Sequence, residues 1–438
     1  MIKRLVVLLI IILSCQSNAQ QGTASPYSFY GIGSLRFKGT VENRSMGGIG
    51  VYLDSIHINL KNPAAYVGKN VDAIPFEGES RPVKYAVAGS YTSLNLQNAN
   101  TNEDASSYTF DYFALSVPMG KFGFGFGALP YTSVGYRLED RNEDDNLDNR
   151  YSGEGGLNRV FAGLGYQITD KLSVGVDVNY NFGNIQNNAI AFLYDSDGNL
   201  LQFQSRENNR SDLSGLNFNI GLSYKTMITD KLELSATTTY APESNLSSEN
   251  ERSFSTITIN PLTGQEFAFN TIDADLSAEG LDNTDLTLPS RFTLGVGIGQ
   301  PKHWFVGAEY TYQNTSAFDN PIFDIDNSNF ENSSGIAIGG FFIPNYNSFT
   351  GYFKRVVYRA GFRYEGTGLN INNESINEFG ISFGVGLPIG GLFPSNINVG
   401  FEYGQRGTTN QNLIKEDFIS LNFSLSLNDR WFKKRKYN

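Results

Sequence analysis

The sequence has 438 residues, a formal net charge of -11, one cysteine and two histidines, and it contains 46 glycines and 33 phenylalanines against 14 prolines. This acidic balance argues against nucleic acid as a partner. The scarcity of cysteine and histidine excludes a disulfide framework and a His/Cys zinc site, so no cofactor is expected. The composition is typical of a strand-rich protein without membrane-spanning helices.

The chain begins with a segment typical of an export signal. Lys3 and Arg4 precede a short apolar run over residues 5–13, and a small-residue cleavage site ends at Ala19. We predict a signal peptide over residues 1–19. Its removal takes both cations away, so the mature charge falls from -11 to -13. An alternative is lipidation at Cys15.

Residues 20–82 show no sustained alternation of apolar and polar side chains. They are rich in glycine and serine, yet they are neither charged nor proline-rich enough for a disordered tail. We predict that this segment is a compact plug, or hatch.

The rest of the chain is a series of alternating segments. One apolar and one polar face at period two is what a strand between lipid and a wet lumen requires. The pentapeptide ITDKL occurs at residues 168–172 and 228–232, each time as a tight connection between two such segments. The predicted strands lie near 83–97, 108–117, 122–136, 157–168, 172–184, 213–226, 232–242, 286–299, 304–315, 334–345, 352–366, 376–388, 394–405 and 416–428.

These strands predict an all-β fold, a 14-stranded antiparallel transmembrane β-barrel over residues 83–428. A sheet crosses a membrane only when it closes, and an even count suits the outer membrane of a Gram-negative bacterium. The apolar face of the closing strand is a signal that the barrel-assembly machinery would recognise. The basic tail over residues 429–438 either contacts outer-membrane lipids or a periplasmic partner, or is solvated. Long polar connections are expected at 137–156, 185–212, 243–285 and 316–333, facing outside the cell.

Charged residues of both signs fall on the lumen faces of the later strands. Buried charges are costly unless they pair, so we expect an ionic lattice with the plug, although a water-filled pore would also solvate them. The lattice candidates are Arg291, Glu309, Arg355, Arg359, Arg363, Glu378 and Glu402.

The third predicted strand contains a weak point. Pro130 has no amide hydrogen for the ladder, and Gly127 relaxes the backbone beside it. The wall of the barrel is therefore expected to weaken there, unless Pro130 simply marks the rim of the strand.

The plug carries glycine-rich stretches at residues 30–33 and 46–50, followed by the tripeptide Asn62, Pro63 and Ala64. With the fourteen strands behind it, this pattern resembles the hatch of the FadL family of outer-membrane transporters for long-chain fatty acids and other hydrophobic compounds. The resemblance implies passive uptake with sideways exit into the membrane. Asn62, Pro63 and Ala64 would then close the path, and Gly127 and Pro130 would mark the exit.

One alternative remains beside a transporter for hydrophobic small molecules or fatty acids. A barrel of this type also serves as an accessory subunit of a secretion or surface-assembly complex, which implies a protein partner. Large apolar side chains in the loops would either catch cargo outside the cell or cap the barrel mouth. The candidates are Phe192, Leu193, Phe254, Phe267 and Phe269.

An enzyme is not expected. His303 lies in a predicted turn, which is a poor place for a general base, and His57 lies in the plug. The oxygens of Asp144, Asn146 and Asp148 are weak calcium candidates without the glutamate that completes an EF-hand, and solvated turns explain them equally.

Overall fold

The computed structural model describes residues 22–53, 56–67, 83–99, 101–142, 144–260, 262–318, 327–389 and 395–429. Within these ranges the chain forms one antiparallel sheet and a few short helical turns. The strands are β1 Ser34–Leu35, β2 Val83–Gln97, β3 Asn102–Met119, β4 Phe122–Pro130, β5 Thr132–Arg141, β6 Leu147–Gln167, β7 Leu172–Ala191, β8 Gln204–Met227, β9 Glu233–Ala241, β10 Ser244–Ile259, β11 Glu266–Asp273, β12 Asn283–Leu288, β13 Arg291–Gln300, β14 Trp304–Gln313, β15 Ser328–Phe330, β16 Ser333–Phe342, β17 Val357–Ile371, β18 Glu374–Ile389, β19 Ser395–Arg406 and β20 Lys415–Asp429.

Helical structure is confined to one short α-helix and six 3₁₀ turns in the described ranges. None of these helices is long and apolar enough to cross a membrane. The α-helix is α1 Val41–Arg44, and the turns are Pro26–Phe29, Pro63–Tyr66, Leu276–Glu279, Thr315–Ala317, Tyr352–Lys354 and Asn410–Asn412.

The sheet closes because β2 pairs with β20 along its whole length, from Val83 opposite Asp429 to Gln97 opposite Lys415. Interruptions divide four of the barrel strands, so that β4 continues as β5, β9 as β10, β11 as β12 and β13, and β15 as β16. Counting each interrupted strand once gives the predicted closed barrel of fourteen strands, which is confirmed. Both barrel termini lie at one end, hereafter the short-turn end.

The closing strand shows why the sequence folds this way. Ile419 and Phe423 of β20 are exposed on the outer face, whereas Asn422 and Ser424 are buried on the inner face. Apolar side chains thus face outward to lipid, and small polar ones face the lumen.

The long polar connections predicted at 137–156, 185–212 and 243–285 are largely strands, which corrects the sequence-based expectation. The β7–β8 and β10–β11 hairpins continue the ladder well past the apolar band. Past the apolar band most outward positions are polar, because they do not face lipid, so the apolar periodicity that marks the membrane strands is missing. This end is hereafter the hairpin end.

Residues 22–53 and 56–67, hereafter the hatch segment, fill the barrel. Val41, Ile49 and Val51 are fully buried between this segment and the inner wall. The core of the molecule is therefore the contact between hatch and wall. The predicted signal peptide, residues 68–82 of the predicted plug and residues 430–438 of the predicted tail lie outside the described residues.

Candidate functional site

The barrel wall has a gap at the end of β4. The pairing between β3 and β4 ends where Phe113 lies opposite Ala128. Pro130 then ends β4, and β5 resumes beside β6 from Val134 onward. No cross-strand pair joins β3 to β5, although both strands are described throughout. The ladder thus stops at the position where Gly127 and Pro130 predict a weak wall.

The β3 edge of this gap is bent by a β-bulge. The register against β2 shifts at this point, and Asp111 is the extra residue. Asp111 and Tyr112 both turn into the lumen and are buried, and the Tyr112 hydroxyl accepts a hydrogen bond from the Val41 amide of the hatch at 3.2 Å. A bulge bends its strand away from regular pairing, which widens the separation from β5.

The hatch strand β1 lies in the gap. It pairs in antiparallel fashion with residues 132–133 of β5, and the Arg36 amide donates to the Tyr131 carbonyl at 2.9 Å. On the other side, the Arg36 guanidinium donates to Thr109 Oγ1 of β3 at 2.7 Å. At the gap, β1 and Arg36 therefore complete the wall, with main-chain bonds to β5 and the Arg36 side-chain bond to β3.

Arg36 stays cationic in this position. Burial lowers the pKa of its guanidinium to about 10; the nearby Arg44 cation adds to that shift, and the Asp111 carboxylate opposes it. At neutral pH the group remains charged, and it is a strong hydrogen-bond donor toward β3.

An apolar cavity of about 140 Å³ adjoins β1. Its lining includes Ser34 and Leu35 of β1 and Tyr131 at the gap. Aromatic and aliphatic side chains of the hatch and of the hairpin end form most of its wall, namely Tyr27, Tyr30, Ile32, Phe318, Phe330, Leu369 and Ile376. An apolar cavity of about 150 Å³ accommodates benzene, so this one has room for a single ring.

A second, more polar cavity of about 100 Å³ lies on the other side of Tyr131. Arg159, Asp177 and Arg291 line it, and it shares Tyr131 with the apolar cavity. The Arg159 guanidinium stands over the Tyr131 ring at 3.7 Å from the ring centroid. The two cavities are therefore neighbours, and Tyr131 lines both of them beside the gap.

The predicted gate residues Asn62, Pro63 and Ala64 lie elsewhere. Asn62 Oδ1 accepts from the Ala64 amide at 2.9 Å, and its Nδ2 donates to the Leu222 carbonyl at 3.1 Å. The 3₁₀ turn that follows contacts the short-turn end of β4, whereas Pro130 is at the opposite end of that strand. The structure brings β1 to Pro130 rather than the Asn62 turn.

A row of paired glycines receives this turn. Gly123, Gly165, Gly175 and Gly221 lie opposite one another across four strands. A Cβ added at Gly175 would stand 2.4 Å from the Pro63 carbonyl carbon. The hatch backbone therefore contacts the wall directly, which only glycine permits.

Glu378 is the centre of a buried ionic network that joins hatch and wall. It pairs with Lys38 of the hatch and with Arg363 and Arg406 of the wall. Arg363 also contacts Glu402 at 2.7 Å. Three of the predicted lumen charges thus lie together, and the hatch supplies a cation to the network.

The other predicted lumen charges are spread out. Glu309 accepts from the Gly50 amide of the hatch at 2.7 Å, and Arg359 donates to Asn398 at 3.2 Å. Arg291 lines the polar cavity. The prediction that Arg355 lies on a lumen face is wrong. Arg355 follows a 3₁₀ turn at the short-turn end, before β17 begins.

The remaining candidates are at the periphery or play structural parts. Asp144, Asn146 and Asp148 lie at the tip of the β5–β6 hairpin, and in the described ranges no group of three or more His, Cys, Asp or Glu side chains is arranged to hold a metal ion. Phe192 is buried. His57 Nε2 is 3.7 Å from Glu42.

Sequence reasoning misses β1, Arg36 and Thr109. Two residues are too few to show a strand period, and the partners of Arg36 are set by tertiary placement. The glycines that flank β1 in sequence are the only local signal, and they are equally typical of a turn.

Solved structures share this fold. A FadL homologue of Pseudomonas aeruginosa is 14% identical over 91% of this chain and 99% of its own, with a TM-score of 0.57. The toluene transporter TbuX of Ralstonia pickettii is 15% identical over 89% and 98%, with a TM-score of 0.55. The toluene transporter TodX of Pseudomonas putida is 16% identical over 88% and 96%, with a TM-score of 0.55.

No functionally curated protein matches the sequence. The model of one protein family, BamG, matches residues 1–438. Because that match spans the whole chain, this protein belongs to the BamG family, with a barrel fold of the FadL type.

Proposed function

We propose that the protein lets small hydrophobic molecules, such as long-chain fatty acids, cross the outer membrane by passive diffusion, and that they leave sideways through the gap between β3 and β5. The main supporting observation is an apolar cavity beside a break in the wall that the short hatch strand β1 covers. Two proteins with this fold, TbuX and TodX, are toluene transporters, which supports a hydrophobic cargo.

The two cavities favour different parts of a cargo molecule, because one is apolar and the other is lined by cationic side chains. At the floor of the apolar cavity, Lys38 and Arg406 already pair with Glu378, so they favour a neutral cargo there. Arg159 and Arg291 line the polar cavity, and a fatty-acid carboxylate would bind there with its chain in the apolar cavity. A single aromatic ring needs the apolar cavity alone.

The experiment is to extract the purified barrel with organic solvent and to identify apolar compounds by mass spectrometry. We expect a fatty acid or another hydrophobic compound in near-stoichiometric amount, and at least a several-fold loss in Ile32→Trp, which fills the apolar cavity. Leu201→Trp, at an exposed hairpin position, is the matched control and should retain the compound. Absence of any compound from the wild type, together with unchanged uptake in Ile32→Trp, would reject the transporter.

The second candidate is an accessory subunit of a secretion or surface-assembly complex, with the barrel-assembly machinery as a partner. Its support is the family name, BamG, which follows the naming of subunits of that machinery. A hatch fixed by the Glu378 network and by the Gly175 contact also suits a rigid scaffold. A stoichiometric protein partner in mild detergent, without any extractable hydrophobic compound, would favour this function over transport.

A further inference from the structure

The β7–β8 and β10–β11 hairpins stand clear of the apolar band. Outward side chains are large and apolar up to Phe182 of β7 and Leu216 of β8, and both are exposed. Beyond them the outward positions are polar, beginning with Asn184 and Asp212. The remaining eight residues of β7, 184–191, rise roughly 26 Å farther at about 3.3 Å per residue. This part of the sheet is therefore outside the lipid.

Large apolar side chains are nevertheless exposed there. Phe269 is 66% exposed and Ile272 is 63% exposed. Ile272 lies directly opposite Phe254, which is also exposed, and the Phe269 ring meets the Phe203 ring edge-on at 5.5 Å between centroids. Lipid does not account for this patch, and an exposed apolar patch outside the membrane indicates a binding surface.

The opposite face of the same hairpins is already packed. Ile190, Phe192 and Ile257 are buried together in a small core. The exposed patch, hereafter the β11 patch (Phe203, Phe254, Phe269 and Ile272), is thus not the interior of a loosely folded loop. The unshifted ladder puts Phe254 on the same face as the buried Ser248, so the patch continues the lumen side of the sheet, and the small packed core covers the outward side.

Strand β11 is also the edge of this sheet. Among the described strands it pairs with β10 alone. The Ala274 amide donates to the Arg252 carbonyl of β10 at 2.9 Å. Because bonding alternates along an antiparallel ladder, Thr271 and Asp273 turn their main-chain groups toward the open edge.

Protection of this edge is weak. Edge strands usually carry a lysine or a proline that discourages pairing, and β11 has neither. Its first residue, Glu266, is neutralised by Arg206 at 3.2 Å. A bulge at Phe269 interrupts the ladder to β10 and leaves residues 270–273 as the regular part of the edge.

We propose that the edge of β11 binds an extended segment of a partner protein at the cell surface, which adds to the sheet as a strand and covers the β11 patch. Main-chain amide and carbonyl groups at regular spacing are matched by another polypeptide strand, which a lipid chain or a sugar does not supply. The bound segment should carry apolar side chains at alternate positions, facing Phe254 and Ile272. This inference does not rest on the transport function.

The test substitutes Thr271→Pro. The change removes an amide that points to the open edge, a position where strands tolerate proline. It leaves the main-chain bonds to β10 and removes the 3.0 Å hydroxyl contact between Thr271 and Ser255. The protein is purified from its native membrane in mild detergent, and the exchange of β11 amides is compared between the complex and the barrel alone. We expect a stoichiometric protein that slows exchange of the Thr271 and Asp273 amides at least tenfold, and at least a tenfold smaller recovery of that protein with Thr271→Pro.

Leu262→Ser is the matched control, because Leu262 is 93% exposed at the tip of the same hairpin but lies outside the edge strand. It should retain the partner. The proposal fails if Thr271→Pro retains the partner fully, if no protein slows exchange at β11, or if lipid or lipopolysaccharide alone gives the same protection. A difference in gel mobility between heated and unheated protein verifies that both variants form closed barrels.

Discussion

At the scale of single residues, the hatch is held by contacts that tolerate little change. The Pro63 carbonyl lies against Gly175, and Glu378 is surrounded by Lys38, Arg363 and Arg406. One contact is steric and the other is electrostatic. Each predicts a different response to substitution.

Gly175→Ala should destabilise the protein by about 1–3 kcal/mol, the usual result of forcing an extra methyl group into a packed site. The added Cβ would stand 2.4 Å from the backbone of Pro63, which is unable to rotate away. The measurement is the urea midpoint of unfolding in liposomes. Gly335→Ala is the control, because its nearest neighbour is 3.4 Å away; equal midpoints for the two variants would contradict the contact.

Glu378→Gln should cost about 3–5 kcal/mol, since removing one partner leaves buried cations uncompensated. The hatch should also become accessible to added protease, because Lys38 loses its anionic partner. Glu365→Gln is the matched control: Glu365 is 3.9 Å from the same Arg363 and is partly exposed. A hatch that resists protease equally in both variants would show that the network does not anchor it.

At the scale of elements, alternation predicts what faces lipid and little else. It predicts β20 because every second residue from Ile419 to Leu427 must be apolar in lipid. It misses the outer parts of β7 and β10, where neither face is buried in lipid. It also misses β1, whose two residues form a strand only because β5 offers them an edge.

If the break between β4 and β5 is the exit, closing it should reduce uptake. Pro130→Val restores an amide donor, so the strand should run on more regularly and the gap should narrow. Uptake of labelled oleic acid should fall several-fold while the unfolding midpoint stays the same or rises. Pro118→Val in β3, which lies at the short-turn end opposite Gly123, is the control and should leave uptake unchanged. Normal uptake in Pro130→Val would mean that the gap is not the exit.

At the scale of the whole molecule, the barrel and its strand number were accessible from the sequence because they follow from lipid contact alone. The placement of the hatch was not, since it depends on the register between strands far apart in the chain. Glycines 123, 165, 175 and 221 become one row only after β4, β6, β7 and β8 are paired. The Asn62 turn therefore sits on that row, and β1 sits at the gap.

The most direct test of sideways exit is a disulfide between β1 and β5. Leu35 lies opposite Thr132, and the bond from Arg36 to Tyr131 makes this the closer, non-hydrogen-bonded kind of pair, with Cα atoms about 4.5 Å apart. That separation is within the range of a disulfide. Leu35→Cys with Thr132→Cys should lock the hatch strand in the wall.

Uptake of labelled oleic acid and of labelled toluene is then measured in the oxidised and the reduced double variant, with Thr132→Cys alone as the control. We predict that oxidation reduces uptake of both compounds to the level of cells without the protein, that reduction restores it, and that the control responds to neither treatment. Undiminished uptake through the locked barrel would contradict exit between β3 and β5.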